Sequence, residues 1–237
     1  MSPSPRPATS GGRHADVLDA LGGDIAAARL VEGEVLTVEG ICARYAVSRS
    51  VAREAIRVLE AMGMLAARRR VGITVQPRTG WSVFDPRLIR WRLDHGDRAE
   101  QLLSLSELRR GVEPAAAALA AARADAEQCR ALAGAVSDMQ VHARTGDLEP
   151  YLRADQTFHR VLLEASGNEM FAALVDVVAE VLSGRTQHGM MPARPNPEAV
   201  ALHDDVARAV RLGDVGLAQV AMTSIIDEAA DALAAGR

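Results

Sequence analysis

With 237 residues, 49% of them hydrophobic and 24% charged, the chain has the make-up of a globular protein with room for two domains. Only 3% of residues are aromatic while alanine and leucine abound, which favours helix; Cys42 and Cys129 stand apart, which excludes a disulfide framework or a zinc ribbon and fits a reducing, cytoplasmic setting. A net charge of -4 excludes a uniformly basic nucleic-acid binder, and the most apolar stretch, Met170 to Leu182, is broken by Asp176 and Glu180 and is too short to span a bilayer, so no membrane partner is expected.

Residues 1–12 are rich in Pro, Ser and Gly, lack the apolar core of a secretory signal and read as a disordered arm. A first helix is expected from His14 to Arg29, with Val17, Leu18, Leu21, Ile25 and Ala28 on one face. Thr37 is a candidate N-cap for a second helix, in which Ile41 and Tyr45 lie one turn apart. Ala46-Val47 turns the chain and Ser48 caps a third helix. Its Val51, Ala55, Val58, Leu59 and Met62 should be buried, which leaves Arg49, Ser50, Arg53 and Arg57 towards the exposed side. Beyond Gly63, strands at 65–69 and 73–76 would flank Arg70-Val71-Gly72, where Gly72 allows a tight turn or a close backbone approach to a duplex.

Helix, turn, helix and basic hairpin together spell a winged helix-turn-helix over residues 13–76, a fold whose recognition helix lies in the DNA major groove. Residues 37–78 hold eight arginines against three acids, a basic patch on an acidic chain. Taken singly, each arginine is most simply a solvated helix face or a surface salt bridge; jointly, the pattern points to double-stranded DNA. An arginine fork can bond guanine O6 and N7 bidentately, and Ser hydroxyls and amides at a helix start suit phosphate oxygens. The candidate contacts are Thr37, Ser48, Arg49, Ser50, Arg53, Arg57, Arg70 and Gly72.

Residues 77–85 read as a linker through which motion between two domains would pass, and residues 86–237 as an all-helical domain. Helices are expected at 86–94, 99–122, 126–144, 148–166, 169–186, 197–212 and 215–235, punctuated by Gly146-Asp147, Gly167-Asn168 and Gly213-Asp214. Asp155 and His159, at i and i+4, share a helical face, and carboxylate plus imidazole at that spacing suits a divalent metal. A simple Asp–His hydrogen bond explains the pair as well, and His203 is equally ambiguous from its own surroundings.

Residues 14–76, with SRSVAREAIRVLEAMGML in the place of the recognition helix, resemble the DNA-binding domain of the GntR family of bacterial transcription regulators. SELRRGVEPAAAALAA, DQTFHRVLLEASGN and LHDDVARAVRLGD resemble the ordered motifs of the FCD domain of its FadR subfamily. The stretch WSVFDPRLIRWRLD resembles the galactonate-responsive members. The resemblance implies a mainly α protein, a winged helix-turn-helix with a small β wing followed by an FCD-like helical bundle. It also implies a homodimeric repressor on a pseudo-palindromic operator, released by a small carboxylate such as a sugar acid. The family's metal is held by one Asp and three His; Asp155, His159 and His203 match three of these, and the fourth position falls at Ile225, which has no ligand atom. Zinc or a similar ion could still be held if effector or water completes the shell. Arg109 matches the arginine expected to hold an effector carboxylate, with a buried pair to Glu113 as its alternative, so the expected effector residues are Arg109, Asp155, His159 and His203. Where the family's second helix often opens Ser-Glu-Arg, this chain has Thr37-Val38-Glu39, which implies a different operator. The rival reading is a metal-dependent hydrolase at Asp155, His159 and His203, for which the sequence offers no clear general base.

Overall fold

The structure is a computed structural model that describes residues 10–95, 98–192 and 194–235, with side chains for 16–95, 98–192 and 194–230. Of the expected arm, residues 1–9 lie outside the described residues, and Ser10 already begins the first helix. The chain divides into two compact units between Arg98 and Ala99.

The first unit is built around α1 (Ser10–Ala26), whose Val17, Leu18, Leu21 and Ile25 form one buried stripe. The helix stops at Ala26, three residues earlier than expected, and Ala28 lies outside it in the left-handed region at φ 55°. Next come β1 (Val35–Leu36), α2 (Val38–Tyr45), α3 (Arg49–Ala61), β2 (Leu65–Arg68) and β3 (Gly72–Val75). Thr37 and Ser48 cap α2 and α3 as their spacing predicts, the hydroxyls accepting from Gly40 N at 3.0 Å and Val51 N at 3.4 Å. The sheet is antiparallel in the order β1-β3-β2, and β1, too short to show a pattern in the sequence, pairs Val35 with Thr74 and Leu36 with Ile73. Asp24 on α1 ties in α2, accepting from Arg44 Nη2 at 2.6 Å and Tyr45 Oη at 2.7 Å as well as from Arg29 Nε at 2.7 Å.

Two expectations about domain organisation are corrected here. Residues 77–85 are a strap rather than a free linker: Trp81 is buried and donates from Nε1 to Gln76 O at 3.0 Å, while Ser82 N donates to Met62 O at 2.9 Å. The helix α4 (Pro86–His95) belongs to the first unit, not to the helical domain, because Leu88 and Trp91 complete the core under α1. The Trp91 ring lies where a Cβ on Gly22 would come within 2.3 Å of it, and its Nε1 donates to Asp19 Oδ1 at 3.0 Å.

The second unit is helical throughout its described residues: α5 (Arg98–Arg123), α6 (Ala126–Thr145), α7 (Leu148–Ala165), α8 (Glu169–Ala172), α9 (Val175–Gln187), α10 (Pro197–Leu212) and α11 (Val215–Ala235). The single helix expected over 169–186 is split at Ala173–Leu174 into α8 and α9. Asp125 and Gln128 form a reciprocal capping box at the start of α6, and Gly146 and Gly213 end α6 and α10 in left-handed conformations. Phe158 and Leu162 on α7 are fully buried and share a core with Leu132, Met139, Val206 and Met222 from the helices around them.

Two stability measurements test this account. Gly63 has φ 73°, and a Cβ there would sit 2.2 Å from Gly80 O, whereas Gly33, at φ 81°, has nothing within 4 Å. In urea unfolding, Gly63→Ala should cost about 2–5 kcal/mol and Gly33→Ala about 1–2 kcal/mol, since only the first adds a clash with the strap to the left-handed penalty. Burial pushes the Asp24 carboxyl up, but hydrogen bonds from Tyr45, Arg29 and Arg44 outweigh it and hold the group below its ordinary value. A depressed folded-state value means stability that is present above the ordinary carboxylate range and lost as pH falls through it. Asp24→Asn should therefore be less stable than wild type at pH 7, with the gap closing below about pH 4.

Candidate nucleic-acid interface and buried polar cluster

In the first unit, α3 presents a row of arginines because its opposite face is held in the core. The buried residues are Ala52, Ala55, Ile56 and Leu59, with Val51 and Val58 half-buried, so the face is rotated from the expected one and Ile56 replaces Val58 at its centre. Arg49, Arg53 and Arg57, one turn apart, remain exposed as expected, with Ser48 and Ser50 beside Arg49 at the helix start and a 2.9 Å hydrogen bond between the two hydroxyls. Arg49 pairs with Glu39 at 3.2 Å and Arg57 with Glu54 at 3.5 Å, all four side chains more than half exposed, so phosphate could displace either acid at little cost. A groove of about 460 Å3 runs between the start of α2, α3 and the wing, lined by Thr37, Arg53, Arg57, Arg68, Arg69 and Gly72 among others. Arg68 and Arg69, omitted from the expected contacts, are therefore placed beside Arg53, while Arg70 sits at the wing tip with φ 68°. The backbone freedom of Gly72 serves the sheet: at φ 114° a Cβ there would lie 2.7 Å from Val35 Cγ1 and 3.1 Å from Leu36 O. The left-handed φ and the closeness of β1 are by themselves enough to require glycine at this position.

In the second unit, α5, α7 and α10 bring Arg109, Asp155, His159 and His203 together. Arg109 and Glu113 form a bidentate pair on α5, Nε to Oε1 at 2.6 Å and Nη2 to Oε2 at 3.2 Å, both fully enclosed. This is the pairing expected as the alternative for Arg109. Glu113 Oε2 also lies 2.8 Å from His159 Nδ1, close enough to orient the ring although Nδ1 makes no hydrogen bond of good geometry. Asp155 Oδ1 lies 3.3 Å from His159 Nε2 and 3.3 Å from His203 Nε2. His203 Nδ1 is 2.6 Å from Ala199 O, to which it can only donate, and this leaves a lone pair on Nε2 of the neutral ring. The Phe158 ring meets His203 edge-on at 4.8 Å between centroids and holds its orientation.

The donor atoms of Asp155, His159 and His203 all lie within 4.8 Å of one another, and Asp155 Oδ1 and His203 Nε2 are buried without a hydrogen bond. Acceptors gathered this way out of water are costly unless a cation or protons lie between them. The residues therefore fit a divalent metal, with Glu113 and Ala199 O as the outer groups that fix the two imidazoles. Ile225, at the position the resemblance assigns to a fourth ligand, lines the cavity as a buried side chain and adds no donor. Burial and the neighbouring charges act in opposite directions on each group. Burial raises Glu113 and Asp155, but Arg109 and His159 bring Glu113 down to about 2, and the imidazoles of His159 and His203, each 3.3 Å away, hold Asp155 far below the carboxylate range. Burial lowers His159, and Glu113 and Asp155 more than restore it.

The cavity beside this cluster is about 30 Å3 and is also lined by Tyr151, Arg185, Met191 and Glu228, none of which was expected from the sequence. Arg185 had a legible signal: Val178, Val181, Leu182 and Arg185 recur at helical spacing, which places a charged residue on an apolar stripe. Tyr151 had one as well, four residues before Asp155 on the same face of α7, whereas Glu228 had none and reaches the cavity only through the packing of α11.

Residues 14–75 match the gntR family of bacterial regulatory proteins, and residues 104–228, more than half of the chain, match the FCD domain. The chain is 28% identical over 208 residues, 87% of its length and 90% of the relative's, to the galactonate operon transcriptional repressor of Escherichia coli. Among solved structures it resembles Lar, which controls expression of the Listeria monocytogenes agr system, with a TM-score of 0.59, 19% identity and coverage of 98% of this chain and all of that one. It also resembles McbR/YncC of Escherichia coli, with a TM-score of 0.55, 16% identity and coverage of 94% and 98%. These two likenesses concern the fold alone. Among the described residues, no helix is long and apolar enough to cross a membrane.

Removing one member of a buried pair leaves the other charge without compensation. Glu113→Gln should destabilise the protein by about 3–5 kcal/mol at neutral pH in urea unfolding, and a loss under 1 kcal/mol would show that Arg109 finds another partner.

Proposed function

Because this chain belongs to the GntR family of bacterial regulatory proteins and carries that family's FCD domain, we propose that it is a homodimeric repressor of sugar-acid catabolic genes, released from its operator by a small carboxylate such as galactonate or gluconate. It is a DNA-binding transcription regulator and not an enzyme; its relatives are regulators, and this sets aside hydrolysis at Asp155, His159 and His203. The observation that carries the effector reading is the set of buried, unpartnered donor atoms on Asp155 and His203 next to His159 and beside a cavity lined by two guanidinium groups. Such an arrangement lowers stability and suits a cation together with an anionic ligand.

Asp155, His159 and His203 would hold the metal, and with Ile225 contributing nothing, part of the coordination shell is left to ligand or water. A divalent ion there supplies a Lewis-acidic anchor for a carboxylate. Arg109 and Glu113 keep the His159 ring in place, and Phe158 and Ala199 O do the same for His203. A cavity of about 30 Å3 has space for a water molecule or an ion, and a sugar acid needs several times more. Effector binding therefore requires the cavity walls to move. A ligand that selects this widened conformation shifts the protein away from the DNA-bound one only to the extent that it binds the two differently. The galactonate reading rests on the similarity to the galactonate operon repressor.

Two copies of the α3 face would read a pseudo-palindromic operator in the cytoplasm, with Arg49, Arg53 and Arg57 at bases and phosphates and the wing arginines at the backbone. Fluorescence anisotropy on labelled DNA from the region upstream of the gene, at fixed salt, tests this directly. Arg53→Ala should weaken binding by about 1–3 kcal/mol, roughly 10- to 100-fold. Galactonate or gluconate should release the wild-type protein, and prior chelation of metal should raise the acid concentration needed. Binding no tighter than to scrambled DNA would refute the assignment of this operator, and specific binding that neither acid disturbs would refute the sugar-acid effector.

A further inference from the structure

We infer that Arg185 is the residue that receives the effector's carboxylate, and that Arg109 is a positioning residue behind it. The inference deepens the proposed effector reading and rests on it.

Both arginines line the same cavity, but their bonding differs. Arg109 is 3% exposed and commits its Nε and Nη2 edge to Glu113, with a further contact of 3.4 Å from Nη2 to His159 Nε2. A carboxylate that took this same edge would displace the bidentate pair and leave Glu113 uncompensated against His159. Arg185 is 8% exposed, and its Nε is buried with no hydrogen-bond partner. A guanidinium withdrawn from water and left short of acceptors is the group in this cavity with most to gain from an anion. Burial and the nearby Arg109 push Arg185 down from the ordinary arginine value, the direction that a bound carboxylate would reverse.

The rest of the lining narrows the ligand class. Asp155 and Glu228 place two carboxylates on the wall, so a second acid group on the ligand would be repelled unless the metal took it. Glu228, which accepts from Asn196 Nδ2 at 3.2 Å through Oε1, is an acceptor suited to ligand hydroxyls. The class is a monocarboxylate that carries hydroxyl groups. Arg185 also sits where the ligand can be felt: its carbonyl accepts from Met190 N at 2.9 Å, closing α9 onto the segment that brings Met191 to the cavity.

The test is calorimetric titration of galactonate, gluconate and lactate into the zinc-loaded full-length protein, wild type against Arg185→Gln and Arg185→Lys, with thermal melts of each. Losing charge-assisted hydrogen bonds should weaken the acid that wild type binds by about 10- to 100-fold in Arg185→Gln. Arg185→Lys, with a point charge in place of a fork, should recover part of that loss, which a merely structural role would not produce. Wild-type affinity in Arg185→Gln would overturn the assignment while leaving the effector reading in place. If wild type binds none of the three acids, the effector reading and the inference fall together. Should Arg185→Gln fail to fold, Arg185→Lys decides alone, since undiminished affinity there would exclude a forked contact.

Discussion

Two buried charge pairs, each spaced four residues along a helix, dominate the second unit. Arg109 and Glu113 on α5 face Asp155 and His159 on α7, and His203 on α10 closes the group. Taking these groups out of water costs several kcal/mol per ion, and their mutual attraction repays it only where geometry is good. The Arg109–Glu113 pair meets that condition; Asp155 Oδ1 and His203 Nε2 do not. A core that Leu and Val could have filled more stably instead keeps unsatisfied acceptors in one place, and the distribution of satisfied and unsatisfied atoms separates scaffold from site. Glu113, Arg109 and Ala199 O hold the imidazoles, and Asp155, His159 and His203 offer what remains.

The first unit works by a different constraint, in which the reader must present exposed arginines from a helix that is itself rigid. Ala52, Ala55, Ile56 and Leu59 anchor α3 against α1, Asp24 links α1 to α2, and the strap at 77–85 with α4 covers the far side of α1. Rigidity here is a matter of recognition, because a base contact demands placement to a fraction of an ångström while phosphate contacts tolerate more. Basic residues on the outer face are held only by exposed pairs such as Arg49–Glu39, which contribute little and exchange readily for phosphate. An acidic chain can thus carry a local patch that binds DNA.

Much of this was legible in the sequence. Period-3.6 spacing of apolar residues located nearly every helix, and Thr37 and Ser48 announced helix starts because a short polar side chain there satisfies an amide left open by the first turn. Less legible were features that depend on what lies opposite. The two-residue strand β1 has no periodicity to detect, Ile56 is buried where Val58 is only half-buried because the core lies on that side of α3, and Pro77–Asp85, with the composition of a linker, is fastened by Trp81 and Ser82.

The same division holds at the sites. Local spacing by itself determined that Asp155 and His159 share a face, that Arg49, Arg53 and Arg57 form a row, and that a basic hairpin follows, since each depends only on the geometry of one helix or turn. Tertiary structure alone decided that Glu113 also meets His159, that β1 closes on Gly72, and that Arg185, Tyr151 and Glu228 meet in one cavity. These contacts join residues from about 30 to over 70 positions apart, and only the packing of whole elements, which no local pattern encodes, brings such atoms within bonding distance.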